Sequence, residues 1–175
     1  SAAIFQDEDP WGQTDNQDIL RENGVAVTIF GPDDLGSPEI DLTVYDKVLV
    51  SSIQSAAFYD ALQANRSWLE AYVSGGGLLN LHLAFQIGTA EGTVVPGGLV
   101  LNYLLSDNVS VVESEHRILS FPNRVTESEL DFWNKSAHGY FTSVPAGATE
   151  VIELAGSGQA CAVEISLGAG WIVAT

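Results

Sequence analysis

Three short stretches of this chain carry residue types able to do chemistry, and each follows an apolar run. Asp7-Glu8-Asp9 comes one residue after Ala2-Ala3-Ile4-Phe5, Gln54 lies just beyond Lys47-Val48-Leu49-Val50-Ser51, and His82, Phe85 and Gln86 follow Leu78-Leu79-Asn80-Leu81. In an open α/β sheet, ligands bind beyond the carboxyl ends of the strands, so these residues are expected to converge on one shallow site. An imidazole among carboxylates serves there as a general base, or ligates a metal together with Asp7 or Asp9. His82 with Asp7 or Asp9 is therefore the candidate catalytic pair, and Gln54, His82, Phe85 and Gln86 are candidate ligand contacts. The plainer alternative for a lone histidine at a strand end is a structural hydrogen bond.

The loop from Asp7 to Asp18 has a second reading. Asp7, Asp9, Gly12, Asp15 and Asp18 fall on ligand or turn positions of a calcium loop of the D-x-[DN]-x-[DN]-G-x5-E type, which makes Asp7, Asp9, Asp15 and Asp18 candidate metal ligands and calcium the candidate cofactor. Trp11 stands where a ligand belongs, Asp18 is shorter than the bidentate glutamate, and no helix precedes the loop. A polar β-α loop whose acids favour the next helix N-terminus is the competing expectation. No other cofactor is expected. His138-Gly139-Tyr140-Phe141, close to Trp133, forms an aromatic cluster suited to stacking a sugar or to packing as a lid, so His138 and Tyr140 join the candidate ligand contacts. Cys161 is the single cysteine and lies in the apolar alternating run Ala160 to Ile165, where it reads as a small core residue. Nothing in its spacing ties His116 to His82, and no Ser-His-Asp triad assembles from these positions.

The elements that must position these residues are legible from periodicity. Ala2 to Phe5 reads as a central strand, Thr14 and Gln17 as a capping box opening a short helix with Ile19-Leu20 on its apolar face, and Val25 to Phe30 as a second strand. Lys47 to Ser51 is a third strand. Ser55 opens a helical region that lasts to Val73, with a break near Asn65 and with Phe58, Leu62, Leu69, Tyr72 and Val73 on one face. Gly75 to Gly77 then turn the chain into the strand Leu78 to His82. Beyond it, Leu99 to Leu105 reads as a short helix or extended segment, Val109 to Val112 as a strand, and Thr126 with Glu129 as a second capping box ahead of a short helix through Leu130, Phe132 and Trp133. Glu150 to Leu154, Ala160 to Ser166 and Trp171 to Thr175 read as antiparallel hairpins. The pattern predicts an α/β, flavodoxin-like three-layer sandwich with a mostly parallel sheet and C-terminal antiparallel hairpins.

Composition limits the function classes. A chain of 175 residues with 46% hydrophobic content suits one domain spanning 1–175. The formal charge of -17, from 23 acidic and 6 basic residues, opposes binding to nucleic acid, and no apolar run is long enough for membrane insertion. Asn-x-Ser sequons at Asn65, Asn108 and Asn134 are candidate glycosylation sites, and with the acidity they point to an extracellular or cell-surface location. The chain begins on an apolar run and ends in a predicted strand, so a processed form or fragment of a longer chain is expected.

Several of these pieces together resemble the class I glutamine amidotransferase-like superfamily, in particular its trehalose-utilisation-like and extracellular branches. They are Tyr45-Asp46-Lys47-Val48-Leu49-Val50, the helix end Leu69-Glu70-Ala71-Tyr72-Val73, the junction Gly75-Gly76-Gly77-Leu78-Leu79-Asn80-Leu81-His82, the His116-Arg117-Ile118-Leu119 stretch, which is similar to a His-Pro-Ile-Leu motif, and the closing Gly168-Ala169-Gly170-Trp171-Ile172-Val173-Ala174-Thr175. The resemblance implies a cysteine nucleophile on a tight bend at the position that His82 holds here. With His82 there and Cys161 in a predicted hairpin, glutamine hydrolysis by the family mechanism is not expected. The expectation is a non-catalytic binding or assembly domain, whose partners are other domains of the same chain, other copies of itself or a carbohydrate. The alternatives are a hydrolase on a carbohydrate or small polar substrate using His82 with Asp7 or Asp9, and a structural subunit whose terminal strands pair with neighbouring copies.

Overall fold

The apolar runs that precede the candidate residues become neighbouring strands of one sheet. The computed structural model describes residues 1–132 and 134–175; Trp133 lies outside them. The first half runs β1 (Ala2–Phe5), α1 (Asp15–Glu22), β2 (Val27–Phe30), β3 (Lys47–Val50), α2 (Ala56–Ala64), α3 (Arg66–Ser74) and β4 (Leu78–Leu81). The second half adds β5 (Val94–Val95), β6 (Leu99–Asn102), β7 (Val109–Val111), α4 (Arg117–Ser120), α5 (Glu127–Leu130), β8 (Tyr140–Ser143), β9 (Thr149–Leu154), β10 (Gln159–Leu167) and β11 (Gly170–Ala174). The main sheet has eight strands in the order β2-β1-β3-β4-β11-β10-β9-β7. From β2 to β11 all neighbours are parallel, and β10, β9 and β7 continue antiparallel. A second, antiparallel sheet, β5-β6-β8, has no counterpart among the predicted elements. Leu99–Asn102, expected as helix or extended, is its middle strand.

The helical region from Ser55 breaks at Asn65, which ends α2 and precedes α3. Ser55 caps α2 through its hydroxyl, which accepts from the Phe58 N–H at 3.2 Å. Phe58, Leu62, Leu69, Tyr72 and Val73 are all buried against the sheet. At about 1.5–3 kcal/mol for each large apolar side chain, that face anchors both helices. The glycine junction follows from two demands. Gly76 has φ +112, a left-handed geometry that side chains resist, and a Cβ on Gly77 would lie 2.3 Å from the Tyr72 ring.

Two expectations about α1 are overturned. Thr14 makes no capping bond; its hydroxyl donates to Asp18 at 2.6 Å, while Gln17 turns inward and donates to Asp9 at 3.1 Å. Ile19 is 59% exposed, so the buried residue of α1 is Gln17 and not an apolar stripe. The second predicted capping box does form in part, with the Glu129 carboxylate accepting from the Thr126 N–H at 2.8 Å, and α5 ends at Leu130. Phe132, beyond it, is exposed.

The terminal strands are not free to pair with other copies. β1 lies between β2 and β3, and β11 between β4 and β10, so both are bonded along both edges. The outermost strands are β2 and β7. Among the described residues, no helix is long and apolar enough to cross a membrane.

Candidate functional site

Beyond β4 the chain does not make a strand-to-helix bend. Residues 82–86 have no regular structure, and four bonds hold them extended across the sheet end. The His82 N–H donates to Val50 O at 3.0 Å and the Leu83 N–H to Thr175 O at 2.7 Å, while Ala84 O accepts from the Ile53 N–H at 2.7 Å and the Tyr59 hydroxyl at 3.3 Å. His82 is not among the residues with positive φ; the strained non-glycine backbone nearby is that of Ile53, at φ 56. For a β-branched residue such a conformation costs on the order of 1–3 kcal/mol and needs surrounding bonds to hold it. The feature that defines a nucleophile elbow is therefore absent at His82.

A cavity of about 390 Å³ opens at this edge, between the main sheet and the β6-β8 face of the second sheet. It is lined from the carboxyl end of β4 by His82, Leu83 and Phe85, and from the segment before β8 by His138. Leu101 on β6, Tyr140 and Phe141 on β8, Ile152 on β9 and Cys161 on β10 complete much of its wall. Four of the six residues expected to contact a ligand, His82, Phe85, His138 and Tyr140, thus meet in one place. Phe85 is fixed there by edge-to-face contacts with Tyr59 and Tyr103, at centroid distances of 6.1 and 5.8 Å. Tyr140 accepts from the Asn102 side-chain amide at 2.6 Å.

The remaining candidates are engaged elsewhere. Gln54 is only 4% exposed, and its amide is fully used. Its Oε1 accepts from the Asp7 and Glu8 N–H groups at 2.6 and 3.1 Å, and its Nε2 donates to Glu8 O and Ser52 O at 3.0 and 2.7 Å. Gln54 is a clamp between the β1-α1 and β3-α2 loops rather than a ligand contact. Gln86 is exposed and outside the cavity wall. Asp7 accepts from the Ser55 hydroxyl, and Asp9 accepts from Gln6 and Gln17 at 2.9 and 3.1 Å. Neither carboxylate lines the cavity, so the expected pairing of His82 with Asp7 or Asp9 is not made. Asp18 lies 3.6 Å from Arg21, and Asp15 sits in the first turn of α1. Among the described residues, no group of three or more His, Cys, Asp or Glu is placed to hold a metal ion.

Electrostatics set the protonation states in the cavity. Burial, with Lys47 as a lesser contribution, holds the His82 imidazole below its ordinary pKa; burial followed by Lys135 does the same for His138. Both rings are therefore neutral near pH 7. Burial pushes the Cys161 thiol up to about 12. Its Sγ donates weakly to Ile152 O at 3.6 Å, and it occupies a β-bulge where the β9-β10 register slips between Ala160 and Ala162. A nucleophilic cysteine requires the opposite shift. His116 belongs to a separate cluster, 3.6 Å from Glu164, which also binds Arg117 at 3.0 Å.

Ser52 of the wall, and Trp11, which touches the wall residue His138 from outside it, carry no usable signal in the sequence. Trp11, which reads there only as a failed calcium position, has φ 56 and places its exposed indole edge-on to His138, with ring centroids 5.0 Å apart. Ser52, beside the strained Ile53, contributes to the wall. Of the sequons, Asn108 and Asn134 are exposed on segments joined by the Ser106-Ala137 bridge, whereas Asn65 is engaged. Its side chain donates to Ala61 O at 3.0 Å and lies so close to Gly36 that a Cβ there would be 2.2 Å from it.

No family model matches this sequence. Over 149 residues, 83% of the chain, it is 30% identical to an uncharacterized protein of Clostridium acetobutylicum, and it spans only 15% of that relative's length. Among solved structures, a cytoplasmic protein of Salmonella typhimurium superposes with a TM-score of 0.63 at 14% identity, over 99% of this chain and 86% of the other. A glutamine amidotransferase of Thermotoga maritima gives 0.57 at 14% identity, over 98% and 74%. A cold-adapted beta-galactosidase of Rahnella gives 0.55 at 15% identity, over 98% of this chain and 28% of the enzyme. At these identities the likeness defines the fold, which is that of the class I glutamine amidotransferase-like proteins.

Proposed function

We propose that this chain is a non-catalytic amidotransferase-like module of a longer exported or cell-surface protein, and that it binds a small ligand in the cavity at the carboxyl edge of its sheet. The observation that carries the reading is the combination of a formed cavity with no activated nucleophile: His82 stands on an unstrained extended segment, and the thiol in the wall is protonated. The small fraction of the Clostridium relative that the chain spans supports a module within a longer protein. Export is supported by the acidic surface and by the exposed sequons at Asn108 and Asn134.

The competing reading is a hydrolase that uses His82 as a general base. A neutral imidazole with no hydrogen-bond partner among the described residues favours it, but the carboxylate that would orient the ring is missing, since Asp7 and Asp9 are bound elsewhere. Ammonia release from glutamine and turnover of nitrophenyl esters and glycosides are to be measured with wild type and His82→Ala. The expected result is the same background rate in both proteins. A wild-type turnover that His82→Ala abolishes would overturn the non-catalytic reading. Fractionation of cells making the full-length protein tests export, with recovery in the medium or at the surface expected and confinement to the cytoplasm contradicting it.

A further inference from the structure

Seventeen per cent of the residues in this chain are charged, yet no Asp, Glu, Lys or Arg side chain lines the cavity among the described residues. From this and the distribution of polar atoms we infer that the cavity takes an uncharged, mostly hydrocarbon ligand: an aromatic or aliphatic ring carrying one or two hydroxyl or amide groups. The inference rests on the binding-module reading and specifies its ligand.

Each major competitor fails on a named term. Free glutamine brings an ammonium and a carboxylate, and neither would meet a counter-charge in the wall; a buried charge without a partner is strongly disfavoured. A free hexose has hydroxyls around its whole ring, but much of the wall is Leu83, Phe85, Leu101, Phe141 and Ile152, which would leave several hydroxyls unbonded. A metal ion would find too few ligands, because among the described residues no carboxylate lines the wall and no group of three or more His, Cys, Asp or Glu is placed to hold one.

The polar groups that remain suit one or two neutral hydrogen bonds. His82 and His138 each offer a donor and an acceptor nitrogen while uncharged. Tyr140 has its oxygen occupied by Asn102, which leaves its own proton to donate. The Ser136 hydroxyl donates to Asp107 O at 2.7 Å and so presents its lone pairs. Against the apolar wall, the Phe85 ring is fixed by its neighbours and offers a ready stacking edge. Outside the wall, Trp11 is held in a left-handed backbone conformation with its indole edge-on to His138, which backs that ring. A volume of about 390 Å³ is at the small end of ligand sites and fits a single substituted ring.

The test uses the protein labelled for histidine side-chain NMR and four probes: benzamide, 4-methylphenol, glucose and glutamine. Benzamide and 4-methylphenol are expected to shift the His82 and His138 ring signals saturably, with affinities at least about tenfold above those of glucose and glutamine. Cys161→Phe, which fills the cavity from β10, is expected to abolish those shifts while far-UV circular dichroism stays unchanged; the wild-type titrations stand without it should it misfold. Stronger binding of glucose or glutamine at the same two histidines would overturn the ligand class and leave the binding-module reading intact. Silence of both rings toward all four probes would overturn both.

Discussion

Asp7 and Ser55 are bonded to each other twice over: the carboxylate of Asp7 accepts from the hydroxyl of Ser55 and, at 3.4 Å, from its N–H. The acid that the sequence offers as a partner for His82 is thus bound to the residue that opens α2. Asp7→Asn is expected to lower the melting temperature and to leave ligand affinity unchanged. A loss of binding with unchanged stability would return Asp7 to the site.

Gln54 joins the same two loops with three hydrogen bonds from a buried amide and makes a fourth within its own loop, to Ser52 O. Gln54→Ala would leave the Asp7 and Glu8 N–H groups without their acceptor. We expect a loss of about 3 kcal/mol in urea unfolding, larger than for any surface substitution in α1. A change below about 0.5 kcal/mol would show that water replaces the amide freely.

The Tyr72 ring occupies the space above Gly77 where a side chain would start. Gly77→Ala is expected to cost about 1–3 kcal/mol. In a Tyr72→Leu background the same change should cost measurably less, because the clashing ring is gone; a double-mutant cycle by thermal or urea unfolding reads the difference. Additive effects would mean that backbone geometry, not the ring, demands glycine.

The depressed pKa values of His82 and His138 fix the sign of a pH effect. Both lie below the unfolded value of 6.5, so the unfolded chain takes up these protons first as pH falls. Stability should be level above that value, decline between pH 6.5 and the lowered folded pKa values, and level off in this contribution below them. His82→Gln should remove part of the decline above the range where carboxylates titrate. An unfolding free energy that rises on acidification from about pH 7 to about pH 5.5 would contradict the assignment.

Cys161, with its pKa at about 12, should alkylate far more slowly at pH 8 than a small free thiol, and the rate should climb with pH well beyond 9. Benzamide should slow it further, as both would share the cavity. Rapid labelling by iodoacetamide at neutral pH, followed by mass spectrometry, would instead reveal an activated thiol.

The parallel half of the sheet is readable because its signals are local. Lys47 to Val50 and Leu78 to Leu81 are short apolar runs bounded by turn residues, and the helix faces between them repeat at helical spacing. The second sheet is not readable: Val94-Val95 is a two-residue strand, and Leu99 to Asn102 pairs with Tyr140 to Ser143 across some forty residues of chain, a pairing that no local pattern encodes. The site divides in the same way. His82 and Phe85 are found because strand ends are predictable, and His138 and Tyr140 because aromatic clusters are conspicuous. Asp7, Asp9 and Gln54 mislead because type and position do not reveal that a polar side chain is already bonded. Trp11 escapes because a positive φ at tryptophan leaves no trace in composition.

The placement of β11 between β4 and β10 has a consequence for how the molecule can be made. Until Gly170 to Ala174 inserts, the parallel strands and the antiparallel strands are two separate half-sheets, each with an unsatisfied edge. A ribosome that has delivered everything through Leu167 has therefore delivered two open strand edges and no finished sheet.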